Sequence, residues 1–464
     1  MPGFGLILIV TLSFGVLAFG SVYPWAYWLV AVASAELGLW AIMLGRAWND
    51  WRVWRLAGAL ALVAVAIGLQ LVPLPPAIFS FVSPNAHGVL QQYELAYATR
   101  QAGWHPISLA AWDTAVALAL FTAFGLLLVG SIRALRYMNL MTLVSQLTIL
   151  ALLVGLVGIV QKALASSENP LIYGFWRPQF QGDGFGPFVN RNHYAGWVVM
   201  ALPLIAARMI ALTESLGGGH SSLSGAWRRW VASQEAGQAA FAAAVVFVLG
   251  ISVVLSGSRS GLASLAVVLV VLGAFVAHRV GRWRRRFVFA LSVPVLLAAV
   301  MAWAGYDIAM RRLQQVPVEI LDRVSVWSDT VRLIGDFPIA GVGLGAFAKA
   351  MAVYQTAPTH TLFVQAHNDY LQLMAEGGAL VVLPALAVLF LVGQGIWRRF
   401  SKGDDEPARF WLRAGAVAGL CGIAVQSLVE FSLQKPGNTV LFVVLVALAL
   451  HRPSRGTSDD ANRI

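Results

Sequence analysis

Charge is scarce in this chain: Asp, Glu, Lys and Arg make up 11% of 464 residues, against roughly 25% in a soluble domain. Cysteine is scarcer still. The single residue, Cys421, excludes an intrachain disulfide and a cysteine-built zinc site. No HExxH pair or paired-aspartate metal motif is present. His87, His105, His193 and His360 lack metal-ligand spacing, so neither a metal nor any other cofactor is expected. The N-terminus lacks the basic region of a cleavable signal. Its apolar stretch from Phe4 to Phe19 is also too long for one and reads as a first membrane span. No internal repeat of the kind common in secondary transporters is visible.

What the chain has in abundance is apolar sequence, 59% of all residues. Near-continuous apolar runs occupy 239–255, 261–278, 376–396 and 438–450, and a membrane helix needs about 20 such residues. A soluble helical protein would show one apolar stripe per helix, whereas most long segments here are apolar all round. The pattern predicts an all-α membrane protein with about twelve transmembrane helices. They fall at 4–22, 26–45, 56–74, 112–131, 139–161, 193–212, 239–256, 261–278, 287–304, 376–396, 410–431 and 438–451.

A net charge of +11 would suggest nucleic acid for a soluble protein. Here the charges follow the spans, so membrane lipids and not nucleic acid are the expected partner. One alternating set of connections holds 21 of the 32 Lys and Arg residues and the other holds 11. The rich set is cytoplasmic by the positive-inside rule, which places both termini inside. The runs Trp227–Trp230 and Arg282–Arg286 read as anchors on anionic lipid.

The poor set, on the outside, contains the unusual connections: 75–111, 162–192 and a long one at 305–375 between spans nine and ten. A connection that long carries structure of its own. Ile320, Val324, Trp327, Val331 and Ile334 recur at helical spacing opposite Asp322, Arg323, Asp329 and Arg332. Pro317 suits the first turn and Gly335 with Pro338 stops the helix. Such a helix lies on the outer membrane surface or caps the spans.

Two outer arginines run against the charge trend. Arg191 sits in Asn190-Arg191-Asn192-His193 at the start of span six, and Arg259 in Ser256-Gly257-Ser258-Arg259-Ser260-Gly261 between spans seven and eight. One such arginine reads more simply as a snorkelling contact to lipid headgroups. Two, each in a turn of small or Asn-rich sequence, suit a diphosphate at the membrane surface, because a guanidinium is a permanently charged planar fork. Before span ten lies Gln365-Ala366-His367-Asn368-Asp369-Tyr370, with Asn368 as helix cap. His367 at the positive end of that helix is a candidate general base, or else an interfacial histidine that bonds another loop. Gly341-Val342-Gly343-Leu344-Gly345 lacks the strand of a phosphate loop and reads as a flexible turn. Glu36 falls inside span two, where a carboxylate is by default functional or paired with another helix.

Three stretches resemble the O-antigen ligase and O-antigen polymerase superfamily of bacterial envelope enzymes. They are Ser256–Leu262, Arg323–Phe347 and His367–Gly378; Asn190–Pro203 is similar too. The likeness covers residues 188–396 and divides the chain into N-terminal spans 1–187, a ligase-like core 188–396 that includes the periplasmic loop, and C-terminal spans with a tail, 397–464. It implies a multi-pass inner-membrane glycosyltransferase of lipopolysaccharide or polysaccharide biosynthesis, acting at the periplasmic face without a metal. The implied donor is a polyprenyl-diphosphate-linked glycan, and the acceptor is a hydroxyl of lipid A core, another glycan or a protein. By the same resemblance Arg191 and Arg259 hold the donor diphosphate, Arg323 assists them, and His367 activates the acceptor. Ligase and polymerase are both open, and a polytopic solute transporter is the alternative from another class.

Overall fold

The computed structural model describes residues 2–43, 50–99, 103–164, 171–178, 183–214, 231–279, 316–356, 362–401 and 406–452. The ninth expected span, 287–304, and the basic runs 227–230 and 282–286 lie outside the described residues. Among those described, the chain is helical almost throughout. The long helices are α1 (Pro2–Leu17), α2 (Pro24–Met43) and α3 (Trp51–Leu69). Three short ones follow, α4 (Pro76–Val82), α5 (Pro84–Tyr93) and α6 (Leu95–Ala98). Then come α7 (Ala111–Ala134), α8 (Leu140–Leu164), α9 (Arg191–Glu214), α10 (Gln234–Ser256) and α11 (Arg259–Arg279). The last five are α12 (Val316–Asp336), α13 (Phe347–Tyr354), α14 (Asp369–Phe400), α15 (Pro407–Gln426) and α16 (Pro436–Ala449). Nine of these are long and apolar enough to cross a membrane; α1 and α16 are shorter apolar helices. Eleven of the twelve expected spans therefore coincide with a helix.

α9 is the centre of the bundle. Its side chains are buried all round, from Tyr194 and Trp197 to Ala207, as α8, α10, α11, α15 and α16 pack around it. The closest neighbour is α15. Gly415 and Gly419, one turn apart, face the α9 backbone, and a Cβ on Gly415 would come within 2.6 Å of the Pro203 carbonyl. Between lipid-soluble helices, packing rather than hydrophobicity drives association, and small residues allow such contact.

A second apolar cluster caps one end of the bundle. It joins Phe79, Leu90 and Tyr97 from α4–α6 to Val326, Leu333 and Phe347 from α12 and α13. A two-residue ribbon, Pro73–Leu74 against His105–Pro106, closes the first of these connections. His87 and His105 lie within its aromatic packing, with His87 Nδ1 2.6 Å from the Tyr97 hydroxyl.

α12 starts and stops as its sequence predicts but is rotated from the expected face. Val324 and Val331 are exposed, while Val326, Asp329, Thr330 and Leu333 are buried. The polar residue turned inward is satisfied there. Asp329 accepts from the Thr356 backbone (2.8 Å), the Thr356 hydroxyl (2.7 Å) and Arg332 (2.6 Å). Burial pushes its pKa up, and these bonds together outweigh burial and hold it below the usual carboxylate value.

The glycine run 341–345 is likewise not a flexible turn. The N–H groups of Val342 and Gly343 donate to the carbonyls of Ala375 and Glu376, both at 3.0 Å. Gln70, just past α3, donates to Ala340 (2.7 Å) and Glu376 (2.9 Å) and accepts from Leu344 (3.0 Å). Gly341 has φ +65°, and a Cβ there would overlap the Glu376 backbone. The run is a packed joint against α14, which kinks beside it at Gly378 (φ 54°). α3 ends at Leu69, short of the predicted end at 74, because Pro73, Pro75 and Pro76 cannot continue a helix.

Candidate functional site

Three helices begin at the capped end of the bundle, and each is started by a side chain. Asn190 accepts from the Asn192 N–H (2.8 Å) ahead of α9. Ser258 Oγ accepts from the Gly261 N–H (3.2 Å) in α11. Asn368 Oδ1 accepts from the Tyr370 and Leu371 N–H groups, both 3.0 Å, as expected of the α14 cap. The positive ends of three helix dipoles thereby share one region.

The turn 427–435, between α15 and α16, is stitched to these helix starts. Span eleven was expected to run to 431, but α15 ends at Gln426. Gln426 Nε2 and Ser432 Oγ donate to the Asn192 carbonyl (2.9 and 3.3 Å). Asp369 accepts from Ser427 Oγ (2.8 Å) and Gln434 Nε2 (2.9 Å). Ser258 Oγ donates to Asn192 Oδ1 (2.7 Å), joining α11 to α9.

Glu430 stands in the middle of this turn, 0% exposed. Its Oε1 accepts from the Arg323 guanidinium (2.6 Å) and from Asn192 Nδ2 (2.7 Å). Its Oε2 is 4.0 Å from His367 Nδ1, and neither of these two atoms has a hydrogen-bond partner among the described residues. A carboxylate out of water is costly unless its charge is met; Arg323 meets it on one side, and the imidazole faces the other. His367 is held here in the left-handed region, φ +50°, a conformation that costs a non-glycine residue about 1–2 kcal/mol. The Trp327 indole N–H donates to the Ala366 carbonyl (3.0 Å), and the Ala366 N–H donates to Gln372 (3.0 Å), which fixes the preceding residue.

Phe431 forms a hydrophobic floor. Its ring meets His367 edge-on at 5.0 Å and His193 at 4.8 Å, with Lys435 Nζ 4.7 Å from its centroid. His193 is buried, and both its ring nitrogens lack partners among the described residues. Burial pushes the Lys435 ammonium pKa down to about 8, with the charge of Asp369 pulling it back up.

The four residues singled out in the sequence fall into two groups. Arg323 and His367, 44 positions apart in the chain, meet through Glu430. Arg191 and Arg259 flank the same node through their neighbours Asn192 and Ser258. Their guanidinium groups are placed differently: Arg191 is ion-paired with Asp183, and Arg259 is exposed. Sequence reasoning passed over Glu430 and Asn192. The signal for Glu430 was present, since it is a carboxylate closing an apolar run, the argument applied to Glu36. Glu36 itself lies on an exposed face of α2 rather than against another helix.

No curated protein matches the chain. Residues 244–386 match the family model described as O-antigen ligase. The matched segment lies within 188–396 and contains Arg259, Arg323, the glycine joint and His367, though not Arg191, Asn192 or Glu430. That match supports the chain's membership of the O-antigen ligase and polymerase superfamily.

Proposed function

We propose that the protein is a glycosyltransferase of the bacterial inner membrane. It moves a glycan from a polyprenyl-diphosphate carrier to an acceptor hydroxyl at the periplasmic face, in the manner of an O-antigen ligase. The observation that carries this reading is the convergence of Arg323, Asn192 and His367 on buried Glu430, beside the helix starts that bear Arg191 and Arg259.

In this reading Glu430 is a positioning residue. A shift of about 1 Å would bring His367 Nδ1–H onto Oε2 as a hydrogen bond. Nε2 would then face the acceptor, and the carboxylate would stabilise the imidazolium formed when Nε2 takes the hydroxyl proton. The acceptor oxygen forms its bond to the anomeric carbon as the bond from that carbon to the diphosphate oxygen breaks. The polyprenyl diphosphate leaves with the electron pair. Arg191 and Arg259, with the helix N-termini, neutralise that departing charge. The diphosphate displaces Asp183 from Arg191, a carboxylate 70% exposed and easily rehydrated.

The test is transfer by the purified protein from a lipid-linked oligosaccharide to lipid A core, with His367→Ala and Arg259→Ala as comparisons. Both variants are expected to lose transfer while remaining folded. Full activity in His367→Ala would remove the proposal. Deletion in the native host separates the acceptors. Loss of lipopolysaccharide ladders with intact core indicates a ligase, single-repeat capping indicates a polymerase, and unaltered envelope glycans with lost solute uptake indicate a transporter.

A further inference from the structure

At the opposite end of the bundle from Glu430, a pocket opens between the start of α3, the end of α7 and the ends of α14 and α16. Five arginines line it: Arg52, Arg55, Arg136, Arg398 and Arg399. Among the described residues, Asp50 is the one carboxylate in the lining, and its charge is already engaged. Asp50 accepts from Arg136 (2.6 Å) and from Arg452 at the pocket's edge (3.0 Å). Among the described residues, the Nε atoms of Arg52, Arg136 and Arg399 are buried without a hydrogen-bond partner. Arg452, Arg413 and Arg52 all lie close enough to act on the charge of Arg399. So many like charges drawn into one partly buried space call for a counter-anion.

The other wall of the pocket is apolar. Val53, Leu56, Ile132, Leu391 and Leu450 line it, and Leu450, just past the end of α16, lies over Gly395 of α14. Trp51, Trp54 and Trp397 are exposed at the same end of the helices, the place of interfacial aromatic residues in membrane proteins. A free phosphate would satisfy the arginines and leave the apolar wall uncovered. A phosphodiester headgroup with attached acyl chains satisfies both, as in basic pockets between membrane helices that bind anionic lipid.

We infer that this pocket is a binding site for one anionic phospholipid, with its phosphate among Arg52, Arg55, Arg398 and Arg399 and its acyl chains along the Leu56 and Leu391 wall. The site is separate from the glycan-transfer reading and does not depend on it.

The experiment is native mass spectrometry of the full-length protein in a neutral detergent, titrated with dioleoylphosphatidylglycerol or dioleoylphosphatidylcholine. One equivalent of the anionic lipid is expected to be retained with a preference of roughly tenfold or more. The double variant Arg55→Gln/Arg398→Gln alters two accessible side chains and should reduce that preference to about twofold or less. Arg409→Gln, an arginine at the same end paired with Glu406 outside the pocket, should leave it intact. Should the double variant fail to fold, Arg52→Gln serves in its place. Equal retention of the two lipids or an unchanged preference in the variants would overturn the inference. Displacement of the lipid by millimolar inorganic phosphate would also overturn it, and would assign the pocket to a free anion.

Discussion

Replacing Glu430 by glutamine keeps the shape of the side chain and removes its charge. In the parent, Oε1 takes two hydrogen bonds, one from a guanidinium at 2.6 Å and one from an amide at 2.7 Å. The amide bond survives in the variant. The guanidinium still donates to the amide oxygen, but the ion pair becomes a bond between a cation and a neutral acceptor, giving up about 1–2 kcal/mol of the attraction. Arg323 is 30% exposed, so water relieves part of the loss, and the expected cost to folding is only ~1–2 kcal/mol. The expected effect on transfer is far larger. Without a carboxylate opposite Nδ1, the imidazolium is not stabilised and the ring is free to take the wrong tautomer, a loss of roughly 10²–10⁴-fold in kcat. Glu430→Gln and parent would be compared by melting in detergent and by transfer from a lipid-linked donor. Adding Arg323→Met should recover stability relative to Glu430→Gln alone, because it removes the orphaned cation, but should not recover transfer. Turnover within about threefold of the parent, in a variant shown to be folded, would refute Glu430 as a positioning residue.

Three further outcomes are expected. Lys435, its pKa pushed down to about 8, loses its charge as pH rises through that value. Lys435 lies over the same Phe431 ring that His367 meets, so its charge adds to the attraction of this site for an anionic donor; the KM for the lipid-linked donor should worsen above pH 8 in the parent and stay flat in Lys435→Gln. His451 is buried against the Leu135 carbonyl at 3.2 Å, and burial with nearby arginines pushes its pKa down to about 4. Between its ordinary value of 6.5 and 4 the unfolded chain binds a proton that the folded chain does not, so this contribution is complete above pH 6.5 and is lost as pH falls. Thermal melts should show a loss of up to about 3 kcal/mol toward pH 4 that is weaker in His451→Gln. Gly341→Ala puts a Cβ into the Glu376 backbone at φ +65°; a loss of at least ~2 kcal/mol and faster proteolysis of the capped end should follow.

The positions of the spans were legible because a membrane helix leaves a local mark, a run of about 20 apolar residues. The Asn368 cap and the limits of α12 were legible for the same reason, since each depends on neighbours within a few positions. Which face of α12 turns inward was not, because Asp329 is buried by bonds to Thr356, 27 residues away. Glycines 341–345 read as loose in the chain, and only their contacts with Gln70 and Glu376 show a joint.

The sequence alone determined that this is a helical membrane protein and marked several polar side chains as out of place in it, Arg191, Arg259 and Glu36 among them, though Glu430 was passed over. A misplaced arginine, histidine or carboxylate is conspicuous in a chain with so few charges. Tertiary structure alone decided which of them act together. Glu430 draws Arg323 from 107 positions away and Asn192 from 238, whereas Glu36 is left on an outer face. The physical reason is that the cost of a buried charge is set by its neighbours in space, and sequence distance carries no information about those neighbours.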